Sequence, residues 1–265
     1  MDTSQIFGYI GALIVGLVLG LIGGGGSILT VPVLVYILGY NPIVATAYSL
    51  FVVGTSSLVG TFQKYKEGLV DFKTGLVFSF PSFIAVYLSR RYLLPSIPER
   101  LFSAGDFNFT KDMGIMIFFA IIMIIASYSM IKNNTKTGAN NFGQPYYKTF
   151  VQGLIIGTIT GIIGAGGGFL YVPALVLWAN IPMKKAVGTS LIIITVNSLI
   201  GFLGDVQTLE IEWVFLLTFT AIAVLGIIIG VFLSKFISGK KLKKSFGYFI
   251  LIMATYIIYK ELKLL

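Results

Sequence analysis

Apolar runs recur along the chain at residues 43–62, 74–94, 113–131, 185–203, 213–237 and 245–259. Several reach the roughly 20 residues that a helix needs to cross hydrocarbon. Short alternating segments separated by turns, the mark of a membrane barrel, are missing. Between these runs lies a second pattern: Ile22–Leu34 reads IGGGGSILTVPVL and Ile163–Leu175 reads IGAGGGFLYVPAL. The spacing of 141 residues holds without a gap from Gly16 to Thr61, and 17 of those 46 positions are identical to their counterparts. Internal duplication on this scale precedes any reading of the fold.

The two copies predict an all-α polytopic membrane protein of two homologous repeats. Each has a glycine-broken helix, re-entrant or kinked, followed by three transmembrane helices. Repeat one covers 1–131, with a broken helix at 5–39, helices at 43–62, 74–94 and 113–131, and a polar loop inserted at 95–112. A linker at 132–147 leads to repeat two, 148–265, with a broken helix at 148–180 and helices at 184–203, 212–237 and 244–262. Glycine costs about 1 kcal/mol relative to alanine inside a helix, so four in a row should break one. Pro32 is expected in the first turn of the next piece, where its missing N–H is no loss. Counted from Ser27, that piece covers only about 20 Å, short of the roughly 30 Å hydrocarbon core. The N-terminal stretch lacks a basic region and a cleavage site, and reads as a first helix rather than a signal peptide.

Composition agrees: 56% of the 265 residues are hydrophobic, 11% are charged, and the mean hydropathy is +0.93. A soluble domain runs near one-quarter charged, so the chain belongs in a lipid bilayer, as a multi-pass protein of the cell membrane. The net charge of +9 does not point to nucleic acid, because the lysines fall in loops. If each broken helix makes no net crossing, the repeats are inverted and 13 of the 19 basic residues share one side. If each crosses once, the repeats are parallel and the split is 11 to 8. The inverted arrangement is favoured, with the 13-residue side cytoplasmic and both termini outside. The chain has no cysteine and no histidine. Disulfides, thiolate metal sites, His- or Cys-held haem and Cys/His nucleophiles are therefore excluded, and an enzyme, a cofactor or a bound metal is not expected.

Paired interrupted helices point to a transporter site at the repeat interface. A helix broken at depth exposes N–H groups that lipid cannot satisfy, and those groups, with the helix dipole, suit an anion. The candidate substrate-binding residues are Gly23, Gly24, Gly25, Gly26 and Ser27 in one copy, and Gly164, Ala165, Gly166, Gly167 and Gly168 in the other. The bland alternative is that glycines merely let helices pack closely. Gly8, Gly11, Gly16, Gly20, Gly153, Gly157 and Gly161 fit that reading. Ser49 and Ser56, with their counterparts Ser190 and Asn197, are candidates to complete an oxyanion's coordination, against the alternative of ordinary interhelical bonds. Lys64, Asp71, Asp205 and Glu212 read as anchors or caps at helix ends. Arg90 and Arg91 either attract anions at one mouth or anchor their helix. A nucleotide loop is excluded, since no Gly-Lys-Ser/Thr and no strand–glycine–helix context is present.

The duplicated motifs, with Gly16 and Gly157 upstream and the A-x-x-x-S-L segments at Ala45–Leu50 and Ala186–Leu191, resemble the TauE/SafE sulfite exporter family of permeases. The likeness extends to the acidic–aromatic pairs Asp71-Phe72 and Glu212-Trp213. It implies transport of sulfite, organosulfonates or related sulfur-containing anions, coupled to a proton or cation. The insertion at 95–112 departs from the compact family plan. The alternatives are a passive anion channel and a non-transporting membrane partner protein.

Overall fold

The computed structural model describes residues 3–104, 107–132, 146–163, 168–179, 181–206 and 209–263. Its helices are α1 (Thr3–Ile22), α2 (Gly25–Pro32), α3 (Pro42–Lys66), α4 (Phe72–Leu88), α5 (Lys111–Lys132), α6 (Tyr146–Ile163), α7 (Gly168–Leu177), α8 (Met183–Asp205), α9 (Trp213–Ser234) and α10 (Gly239–Lys263). Six of the described helices are long and apolar enough to cross a membrane: α1, α3, α4 with its extension to Ser96, α5, α8 and α9. The protein is an all-α, multi-pass membrane protein.

Local chemistry sets the ends of these helices. Asn41 caps α3 by accepting from Ile43 N at 2.8 Å, and Pro42 takes the first helical position. At the far end Gly68 turns left-handed (φ +67°), and Leu69 N reaches back to Lys64 O at 3.1 Å, closing the helix as a glycine C-terminal motif does. Asp71 caps α4 through Thr74 N.

Pro32 lies at the eighth position of α2, and not in its first turn. Gly25 and Gly26 open that helix themselves, so the break is confined to Gly23 and Gly24. Proline removes a helical hydrogen bond and crowds the carbonyl four residues back. The chain answers with a wider π-type turn over Val33–Ile37 immediately beyond it.

Interhelical contacts fix the directions. A methyl group placed on Gly26 would meet Leu19 and Val15, one on Gly11 would meet Val33, and one on Gly8 would meet Leu38. The piece after the break therefore folds back antiparallel along α1. Helices α3 and α8 also run antiparallel: Gly54 sits against Ser198 and Leu199, Gly60 against Leu191, and Gly201 against Leu50.

The first helix of each half packs on the fourth described helix of the other. Methyl groups on Gly16 and Gly20 would fall 1.9 Å from Ala223 O and 2.5 Å from Ile227 O of α9. The corresponding positions Gly157 and Gly161 would strike Ser82 O at 2.4 Å and Val86 O at 2.9 Å on α4. Backbone touches backbone in both seams, which only glycine permits.

The insertion holds more than a loop. Arg100–Ala104 and Phe107–Thr110 form antiparallel strands β1 and β2, pairing Phe102 with Phe109 and Ala104 with Phe107. The pair leans on the start of α5, where a methyl on Gly114 would lie 2.8 Å from Leu101.

Candidate functional site

The helix that follows the second glycine cluster begins against the first glycine joint. A methyl group on Gly168, the first residue of α7, would lie 3.0 Å from the Cα of Gly24 and 2.7 Å from Ile194 Cδ1. Gly24 is the N-cap residue of α2, so the starts of two short helices meet there. The first turn of any helix leaves N–H groups without intrahelical partners and carries the positive end of its dipole. Gly164, Ala165, Gly166 and Gly167 lie outside the described residues.

The first joint is held by the opposite half. Gly23 has φ +76°, a conformation that glycine adopts without strain. The Ser190 hydroxyl of α8 lies 2.8 Å from both Gly23 O and Val187 O, which gives the carbonyl left over at the break a donor. Gly25, Gly26 and Ser27 fall in the first turn of α2. Gly26 is packed tightly on α1 besides, so at that position the close-packing role is real.

Asn197 sits in a buried polar cluster rather than alone. Its Nδ2 donates to Ser82 Oγ and to Tyr171 OH, both at 2.7 Å, and Tyr171 OH lies 3.3 Å from Ser82 Oγ and from Thr160 Oγ1. One residue from each of α4, α6, α7 and α8 thus converges. Asn197 Oδ1 is buried without a partner among the described residues. Rotating the amide by 180° would let both hydroxyls donate to Oδ1 and turn Nδ2 into the outward donor; hydrogen-bond satisfaction is what distinguishes the two orientations. Ser49 and Ser56, the counterparts of Ser190 and Asn197, are fully buried, and their hydroxyls have no partner among the described residues. Leaving a buried hydroxyl unsatisfied costs about 1–3 kcal/mol.

Four charged positions expected at helix ends are there, engaged in cross-links. Lys64 pairs with Glu67 at 3.1 Å and donates to Ser234 Oγ at 2.7 Å, while Lys235 pairs with Glu67 at 3.1 Å. Asp71 faces Lys185 at 3.7 Å. At the opposite end Arg90 holds Asp205 with Nη2–Oδ2 at 2.7 Å and Nε–Oδ1 at 3.1 Å, and Glu212 accepts from Tyr40 OH at 3.1 Å. Burial, then the hydrogen bond to Glu212, pushes the Tyr40 hydroxyl pKa well up.

A cavity of about 460 Å³ opens beside this second cluster, between Pro42, Thr46, Arg90, Arg91, Lys111, Ile162, Ile163 and Asp205. Ile162 and Ile163 lead directly into the second glycine cluster in sequence. Residues missed in the sequence are Tyr171, Ser82 and Thr160. Each is an unremarked member of an apolar run, and only the fold brings them onto Asn197.

Six membrane-length helices and a helix broken at Gly23 and Gly24 define a multi-pass membrane protein class, and comparison with known proteins places the chain more narrowly. It matches the family described as "Sulfite exporter TauE/SafE" over residues 9–257, and it belongs to that family. A "Probable membrane transporter protein" of Xylella fastidiosa (strain 9a5c) is 26% identical over 255 residues, covering 94% of this chain and 92% of the relative. "Probable membrane transporter protein YunE" of Bacillus subtilis (strain 168) is 30% identical over 234 residues, covering 77% and 79%. "Probable membrane transporter protein MJ0441" of Methanocaldococcus jannaschii is 26% identical over 201 residues, covering 72% and 70%. No solved structure matches.

Proposed function

We propose that the protein is a secondary transporter of a small oxyanion, of the sulfite or organosulfonate kind, bound where the two glycine joints meet. The observation that carries this reading is the approach of Gly168 to Gly24. Two helix starts directed at one place concentrate N–H donors and positive dipole ends on a shared point, and a dry site strengthens both. Ser49 and Ser56 each carry a buried hydroxyl with no described partner, and Asn197 would offer a further donor once its amide is rotated. No fixed positive charge is needed at the centre.

Alternating access follows from one half rocking against the other about this point. The antiparallel α3–α8 crossing and the exchanged seams, α1 on α9 and α6 on α4, support an inverted relation between the halves. Ion pairs gather the lysine-rich helix ends on one side, and we assign that side to the cytoplasm. A proton or cation drives the cycle in this reading, and a weak-acid substrate could itself carry the proton.

Flux into proteoliposomes tests the proposal. Wild-type protein should accumulate sulfite or a small sulfonate against its gradient when a pH or ion gradient is imposed. Gly25→Leu or Gly168→Leu, if well folded, should not. Intact transport in such variants would end the binding model, and flux that never exceeds equilibrium would point to a passive channel.

A further inference from the structure

We propose a second anion site, in the cavity between the ends of α3, α4, α6 and α8 and the start of α5. It takes an amphiphilic oxyanion: a sulfonate or phosphate head carried on an apolar body. The site is made of its own residues and does not rest on the reading of the glycine joints.

The head group is specified by Arg90. Its side chain is only 4% exposed, and its Nε and Nη2 are engaged by Asp205, with Nη2 also 3.3 Å from Thr46 Oγ1. Its Nη1 is buried and has no hydrogen-bond partner among the described residues, although Arg90 lines the cavity. A guanidinium nitrogen carries charge and has only donors to offer, so this one lacks an acceptor. Among the described residues Asp205 is the one carboxylate in the lining, against Arg90, Arg91 and Lys111. It is committed to Arg90. Lys111 is steadied by the backbone carbonyl of Leu94. Arg91 is exposed and forms no ion pair among the described residues. The described lining therefore carries surplus positive charge, beside a guanidinium whose Nη1 has no described partner.

The body is specified by volume and wall. An inorganic oxyanion of four or five heavy atoms would leave most of 460 Å³ empty, whereas cavities of about 300–1,000 Å³ suit larger organic ligands. Ile43, Leu94, Ile115, Met116 and Ile162 line the remainder, and an apolar body removes that surface from water. A soluble organosulfonate and a membrane lipid phosphate both present this combination, and the two sources can be separated.

The test uses full-length protein in a neutral detergent, with pentane-1-sulfonate, methanesulfonate and sulfite as calorimetric probes. Pentane-1-sulfonate should bind saturably and more tightly than the other two. Arg91→Gln, which removes a rim charge, and Ile115→Trp, which fills the body pocket, should each weaken it by about tenfold. Sulfite binding should be indifferent to Ile115→Trp. Native mass spectrometry of protein taken from phosphatidylglycerol bilayers supplies the second arm. A retained lipid that pentane-1-sulfonate displaces, and that Ile115→Trp loses, identifies a lipid head group as the natural occupant. Without such a lipid, pentane-1-sulfonate binding that responds to both substitutions identifies a soluble anion. The proposal is overturned if the sulfonates bind no better than sulfite, or if neither substitution, in variants that melt as the wild type does, changes their affinity.

Discussion

Gly24 and Gly168 stand so close that a single methyl group on the second would press to within 3.0 Å of the Cα of the first. They belong to different halves and lie far apart in sequence, yet each opens or precedes a short helix at the same point. The neighbour on one side is backbone, which cannot move aside. The other is the tip of Ile194, which can.

Gly168→Ala should therefore separate the two joints slightly without unfolding the protein. Transport in proteoliposomes should fall several-fold, while size-exclusion behaviour and helical content stay unchanged. Full activity in Gly168→Ala together with Gly168→Leu would show that the close approach is incidental to transport.

The seams make a different prediction. A methyl at Gly16 would lie 1.9 Å from Ala223 O, a contact that only backbone displacement can relieve. Overpacking of this kind costs about 1–3 kcal/mol. Gly16→Ala and Gly157→Ala should both lower the melting temperature in detergent, and by similar amounts, because they occupy equivalent places in the two seams. Gly39 offers a contrast: it has φ +75° and open space around it, so Gly39→Ala meets backbone strain without collision and should cost less.

Glu67 carries a pH dependence. Burial alone would raise its carboxyl pKa, but hydrogen bonds from Lys64 and Lys235, and their charges, outweigh burial and hold it below the usual carboxylate range. A group depressed in the folded state stabilises above its unfolded pKa, about 4.3 for glutamate. That contribution is lost as pH falls through the lower folded value. The melting temperature should thus be flat near neutrality and drop in acid below about pH 4. Glu67→Gln should lower the plateau and flatten the drop.

The absence of cysteine from the chain makes topology directly measurable. Lys66→Cys and Lys240→Cys should label from the same face of the membrane with an impermeant maleimide, and Arg100→Cys from the other. Parallel repeats would put Lys66 and Lys240 on opposite faces.

Much of this architecture was legible in the residues themselves. The long apolar runs announced their helices because crossing hydrocarbon requires length and composition that nothing else needs. The first glycine cluster announced its break, since glycine is costly to keep helical and easily turned to φ +76°, as at Gly23. Three features were not legible. Pro32 obeys the returning arm's packing on α1, which delayed the expected disruption to a π-type turn beyond it. The strands at 100–110 were hidden by the surrounding polar residues, which read as a loop. The partners of Asn197 and Arg90 come from helices remote in the chain, and no local spacing encodes Tyr171 beside Asn197 or Asp205 beside Arg90.

The exchanged seams have a consequence for biogenesis. When synthesis has reached Lys132, α1 already displays its glycine face, but the helix that covers it emerges some eighty residues later. The early half must wait in the bilayer with that groove unfilled, and α4 must likewise wait for α6. If the halves are inverted as proposed, a half-length protein on the same plan could complete itself only by embracing a second molecule inserted upside down, and the joined gene fixes in one chain an orientation contest that separate copies would have to settle at every insertion.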